Sequence, residues 1–128
     1  MTENKNGPIQ SYQDLEVWQR GMALAEQVYS LTGHFPRAEM FGLTNQMRRA
    51  AVSIPANIAE GWGRSGTKEF QRFLSIAMGS LREMETHLLL SQRVGLSTVE
   101  QIQPLQEIIN ILGKQILSLM RSLERRNQ

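Results

Sequence analysis

Cysteine is absent from the 128 residues, which excludes a disulfide framework, thiolate zinc sites and cysteine nucleophiles. Histidine occurs only at His34 and His87. Aromatic residues make up 6% of the chain, which argues against an aromatic-rich RNA-stacking platform. No run of about 18 apolar residues is present, so no membrane-spanning helix is expected. The opening stretch MTENKNGPIQ lacks the apolar segment of a secretory signal, and a cytoplasmic location is the expectation. A large surplus of one charge is also missing: 14 Lys and Arg stand against 12 Asp and Glu, a net +2, a weak pointer to an anionic partner. What is present is an apolar content of 41%, that of a folded globular chain, and a length that suits one domain burying about two thirds of its unfolded surface.

Apolar residues recur at spacings of three and four through four stretches, the pattern of helices with one buried face. Residues 1–10 are polar and carry no such pattern, so a disordered tail is expected there, with one domain over 11–126. Helix 1 is predicted over about 15–32, with Asp14 as N-cap, a stripe of Leu15, Trp18, Met22, Ala25, Val28 or Tyr29 and Leu31, and a stop at Gly33. Helix 2 is predicted from Ala38 or Glu39 to Gly61, on Leu43, Met47, Ala50, Ile54 and Ile58, with Gly61, Trp62 and Gly63 offering a left-handed cap and a tight turn. Pro55 lies inside that span and removes a hydrogen bond to the Ala51 carbonyl, which predicts a kink or a break into two helices. Helix 3 is predicted from Ser65 or Thr67 to Val94, stopped by Gly95, on Phe70, Phe73, Leu74, Ala77, Leu81, Met84, Leu88 and Ser91. Helix 4 opens with Ser97 and Glu100 at capping-box spacing and carries Ile102, Leu105, Ile109, Leu112, Ile116, Leu119 and Leu123. Pro104 predicts a kink or a delayed start. Short connections between long helices favour antiparallel neighbours, so an all-α, up-down-up-down four-helix bundle is expected.

The apolar residues exceed what one bundle core can hold. Ile111 and Leu117 fall off the stripe of helix 4, Ile76 and Met78 off that of helix 3, and Leu88, Leu89 and Leu90 are consecutive and cannot share one face. The side of helix 2 opposite its main stripe carries Val52, Ala56 and Ala59, small enough to admit another helix. A polar stripe at Gln46, Arg49, Ser53, Asn57 and Glu60 shares one face of the same helix and reads as a solvated surface, a polar lock between subunits or a nucleic-acid contact. Gln46, Val52, Ser53, Ala56, Asn57 and Ala59 are therefore the candidate oligomer interface. Arg48, Arg49, Arg64, Lys68 and Arg72 are the candidate nucleic-acid contacts, the last three beside the N-terminus of helix 3, where free N–H groups and the helix dipole favour a phosphate.

No constellation for chemistry emerges. A bundle di-iron site needs Glu-x-x-His pairs, and the residues three before the histidines are Leu31 and Met84. Glu83 and His87, four apart, suit a helix-surface pair. There is no Gly-x-Ser-x-Gly elbow. The glycine-rich run from Gly61 to Lys68 follows a helix rather than a strand, and Gly does not precede Lys68, so it is not a Walker A loop. No enzyme activity, cofactor or metal is expected.

Three stretches carry a resemblance: DLEVW at Asp14 to Trp18, GLTNQMRRAAVSIPANIAEG at Gly42 to Gly61, and FLSIAMGSL at Phe73 to Leu81. Together they resemble the 23S rRNA-intervening-sequence protein family, also called four-helix bundle proteins, across about residues 10–126. The resemblance implies a small bacterial cytoplasmic protein with no established enzyme activity or cofactor, and Pro55 as a regular part of helix 2. Members were first met as reading frames within insertions in 23S rRNA genes, and many are encoded elsewhere. It also implies a ring-like homopentamer, similar to the accessory protein of diversity-generating retroelements, which binds nucleic acid and a reverse transcriptase. That last likeness is one of fold and bears on function only as analogy. Two functions follow as expectations: an oligomeric module associated with RNA or DNA, or a structural, accessory or scaffold oligomer with protein partners alone.

Overall fold

The computed structural model describes residues 8–126, and the expected tail at 1–10 falls largely outside them. Ile9 packs against the core, and the Gln10 and Ser11 N–H groups both donate to Asp14 Oδ2. Asp14, the expected cap of helix 1, instead closes a capping box with Ser11 around a single 3-10 turn, Tyr12–Asp14. The first long helix, α1, spans Glu16–Thr32 and begins at Leu15 without a side-chain cap. Its buried face is Val17, Gly21, Leu24, Ala25, Val28, Leu31 and Thr32; Ala25, Val28 and Leu31 are buried as the spacing predicts, whereas in the first half Val17, Gly21 and Leu24 take the inward positions, Trp18 is half-buried and Met22 is 38% exposed. Gly21 faces Ile54 and Pro55, which a Cβ in its place would meet at 3.5 Å, ordinary van der Waals contact.

A second 3-10 turn, Arg37–Glu39, precedes α2, Leu43–Trp62. The helix therefore starts four or five residues later than the pattern predicts, with Gly42 as its cap position, and leaves Phe41 94% exposed. Helix α2 is unbroken through Pro55, which is itself buried. The helix ends at Gly63 with φ −77°, not in the left-handed cap expected there; Gly66 and Gly95 carry the positive φ values, 86° and 82°. Helix α3, Thr67–Arg93, buries all eight residues of its expected stripe. Helix α4, Val99–Arg126, continues through Pro104 and buries its stripe apart from half-buried Leu119. Its capping box is shifted by one residue: Thr98 N–H donates to Gln101 Oε1, and Gln101 N–H to Thr98 Oγ1. Ser97 instead turns inward and meets Ser91 Oγ at 2.6 Å, because a buried hydroxyl needs a partner.

α1 packs on α2, α2 on α3, α3 on α4, and α4 back on α1. The four helices enclose one core centred on Leu24, Met47, Ile58, Leu81, Ile109 and Ile116. This is an all-α arrangement with no strand among the described residues, and a four-helix bundle fits it.

Pro55 gives a first prediction. Pro55→Ala restores an N–H for the Ala51 carbonyl, a gain of about 3 kcal/mol in helix propensity, against roughly 1 to 2 kcal/mol for the buried methylenes removed. Stability is expected to rise by about 1 kcal/mol, read as a higher urea midpoint. A fall would show that the ring's packing on α1 outweighs the backbone effect.

Candidate oligomer and nucleic-acid surfaces

The polar stripe of α2 meets α3. Ser53 Oγ and Ser80 Oγ lie 2.7 Å apart, and Asn57 Nδ2 donates to the Ser53 carbonyl at 2.7 Å and to its hydroxyl at 2.9 Å. A groove of about 390 Å³ continues along this seam, lined by Gln46, Arg49, Ala50, Ser53, Ser80 and Glu83. At its edge His87 Nε2 and Glu83 Oε2 are 3.1 Å apart, the pair that their spacing predicts. Ser53 and Asn57 thus satisfy each other within one chain, while Gln46 and Arg49 face the groove. Ser80, which completes the cluster, carries no sequence signal, since it lies 27 positions from its partner.

Beside this seam the outer side of α2 presents Val52, 45% exposed, and exposed Ala56, with half-buried Ala59 next to them. Ile76 on α3 is 39% exposed. Small and branched apolar side chains next to a satisfied polar cluster form a surface that a second helix can approach closely.

The five candidate cations divide into groups. Arg48 is held against α1: its Nε donates to Thr32 Oγ1 at 2.9 Å, and its guanidinium lies 4.5 Å from the Tyr29 ring centre. Arg49, one residue on and about 100° around the helix, lines the groove on the α3 side. Arg64 and Arg72 converge on one aromatic ring, 5.1 and 4.6 Å from the centre of Phe73. Exposed Lys68 lies four residues from each of them. Two carboxylates temper this cluster: Glu60 pairs with Arg64 at 2.6 Å and Glu69 with Arg72 at 3.1 Å. The hydrogen bond from Arg72 lowers the Glu69 pKa below the ordinary value; desolvation opposes it, and the charges of Arg72 and Arg64 add to the lowering. Glu69 is therefore ionised at neutral pH and competes with an incoming phosphate for Arg72. Arg49 and Lys68 make no hydrogen bond or ion pair with the described residues, which leaves their charges available.

Among the described residues no three His, Asp or Glu side chains are grouped to hold a metal ion, and no helix is long and apolar enough to cross a membrane. The family model of the 23S rRNA-intervening sequence protein matches residues 13–118. The chain belongs to this family. It is also similar to a crystal structure of a protein of unknown function from the S23 ribosomal protein family of Bacteroides thetaiotaomicron, with a TM-score of 0.73 and 24% identity over 81% of this chain and 97% of the other. That similarity is one of fold. Among curated proteins none matches the chain. The family match takes in α1, α2, α3 and most of α4, and so contains all five candidate cations and the whole outer face of α2.

Proposed function

We propose that this member of the 23S rRNA-intervening sequence protein family is a non-enzymatic, cytoplasmic bacterial protein that assembles as a homopentamer and associates with RNA. The bundle in this proposal runs up-down-up-down with antiparallel neighbours. Contacts between α3 and α4 support that direction: Gln71 donates to the Met120 carbonyl, Arg82 lies beside Gly113, and Ser91 meets Ser97. The pentamer is the number that the family resemblance implies. Self-assembly itself is supported by the exposed apolar side chains Val52, Ala56 and Ile76.

One observation carries the RNA association: Arg64 and Arg72 gather over Phe73 with Lys68 alongside. Cyclic symmetry repeats that cluster around an axis, raising the local potential well above what a net +2 per chain suggests, and counterion release from a polyanion then favours binding. The test is an anisotropy titration of labelled structured RNA at about 50 and 200 mM salt. Affinity should fall steeply with salt, and Arg64→Ala with Lys68→Ala and Arg72→Ala should flatten the slope by about 1 for each phosphate that is no longer neutralised. Absence of binding at about 50 mM salt, where phosphate contacts are strongest, overturns the association.

A second reading, an accessory or scaffold oligomer with a protein partner, is favoured by the opposite end of the bundle. There Phe41, Leu90 and Val94 are 94%, 45% and 59% exposed. Gene neighbourhood separates the two: a reading frame inside an rRNA gene supports RNA association, and one beside a partner gene such as a reverse transcriptase supports the accessory role.

A further inference from the structure

On the outer side of α1, Met22, Glu26 and Tyr29, spaced four and three, share one face. Met22 and Tyr29 are 38% and 48% exposed. The Glu26 side chain is exposed and makes no hydrogen bond or ion pair with the described residues. Arg48 covers the Tyr29 ring at 4.5 Å from its centre, which fixes the ring where it stands. On the outer side of α2, Gln46, Arg49 and Ser53 show the same two spacings in reverse order, and the Gln46 and Arg49 side chains also have no partner among the described residues. The surface of α2 is recessed here: Arg49 and Ser53 line depressions of about 390 Å³ on the α3 side and 470 Å³ on the α1 side. The carboxylate that shares the first of these, Glu83, faces His87 at 3.1 Å and forms no ion pair with Arg49.

The two patches stand at the same height. Where α1 and α2 touch they run in opposite directions, since Gly21 faces Ile54 and Pro55, whereas Tyr29 and Thr32 face Arg48. Glu26 is five residues on from Gly21 and Arg49 five back from Ile54, so both lie about 7.5 Å along their helices from that level. They do not pair within one chain. Glu26 is two residues from fully buried Leu24 and from fully buried Val28, about 160° around α1 from either, and so points away from the core, while Arg49 lines the α2–α3 groove. A second copy related by rotation about an axis along the bundle keeps these heights. Its α1 then meets α2 of its neighbour antiparallel and in step: Glu26 at Arg49, Met22 four residues back at Ser53 and Val52, Tyr29 three residues on at Gln46. An unpaired carboxylate and an unpaired guanidinium thus match in sign, height and flanking residues on one chain, which makes another copy of that chain the complementary partner.

We propose that the α1 face of one copy docks on the recessed α2 face of the next, with Glu26 pairing to Arg49. The proposal deepens the self-assembly reading above and rests on it. Each chain offers each patch once, so the contact is heterologous and passes from copy to copy until a ring closes. Arg49 then serves assembly, and phosphate binding is left to Arg64, Lys68 and Arg72.

The experiment compares four full-length chains by sedimentation velocity at micromolar concentration: the unmodified protein, Glu26→Arg, Arg49→Glu and the variant carrying both. The unmodified protein is expected to sediment as an oligomer. Each single reversal should reduce it to one chain, because like charges then face each other across the seam, and the double variant should regain the oligomer. An equimolar mixture of the two single variants should also form an oligomer containing both, since each supplies the charge that the other lacks, which a contact within one chain cannot do. Circular dichroism checks each fold. Glu26→Gln and Arg49→Gln replace a reversal that unfolds; either should raise the dissociation constant by about tenfold, and the two together by no more than one alone. An oligomer that tolerates either reversal, or a double variant or mixture that stays monomeric, overturns this contact while self-assembly stands. An unmodified protein that is monomeric removes self-assembly and this contact with it.

Discussion

Gly61→Ala is expected to cost about 3 kcal/mol, the upper range for an overpacked core, and to lower the thermal midpoint by roughly 10 °C. A Cβ at position 61 would stand 2.6 Å from Phe73 Cβ and 3.1 Å from Phe70 Cδ1. The first of these atoms is fixed to the α3 backbone, so no rotamer change relieves the clash and the two helices must separate. They carry Ile54, Ile58, Leu74 and Ala77, all fully buried, and separation would open gaps among them. Gly79→Ala is the control. Nothing lies within 4 Å of a Cβ there, the position is exposed in mid-helix, and the substitution should stabilise by about 0.5 to 1 kcal/mol. Thermal unfolding of the two variants side by side distinguishes a packing glycine from a merely permissive one.

The second large effect is on assembly. Val52→Asp combined with Ile76→Asp should convert the protein to monomers at micromolar concentration. On an isolated bundle both positions are partly open to water, and such surface changes lie mostly within about 0.5 kcal/mol of neutral. Against a second copy each would place an unpaired carboxylate in a desolvated interface, at several kcal/mol per ion. Sedimentation velocity should therefore show a single slow species whose circular dichroism still reads as helix. Unchanged sedimentation would place the covered surface elsewhere, with the exposed Phe41, Leu90 and Val94 next to be tested.

Local chemistry is legible in the sequence, and contacts that depend on distant residues are not. The eight-residue stripe of α3 and the main stripe of α2 are buried as their periodicity predicts, since a spacing of three and four is a property of one helix. Pro55 by itself leaves the continuity of α2 open; the helix runs through it with the ring buried beside Gly21 of α1, a contact between helices that no local pattern shows. The capping differences have separate causes. Asp14 is taken up by a box with Ser11 around the 3-10 turn, which leaves α1 without a side-chain cap, whereas Ser97 is drawn to buried Ser91 and leaves the cap of α4 to Thr98. Gly61 reads as a helix end and is a point of contact between helices, a distinction that needs the position of Phe73. The five candidate cations can be chosen by type and spacing, but their division is not visible there: Arg48 turns to Tyr29 and Thr32, whereas Arg64 and Arg72 meet over Phe73. The hydrogen bond between Gln115 and Glu16 carries no sequence signal, because its partners lie 99 positions apart.

That this bundle works as an assembly, with its cations gathered around a symmetry axis, is tested most directly by the mass of the unmodified protein in solution. Light scattering across a micromolar dilution series should give about five times the chain mass of 14.6 kDa, constant with concentration. A mass of one chain throughout the series would contradict it: Val52, Ala56 and Ile76 would then be ordinary exposed side chains, and no ring of charge would exist to draw an RNA.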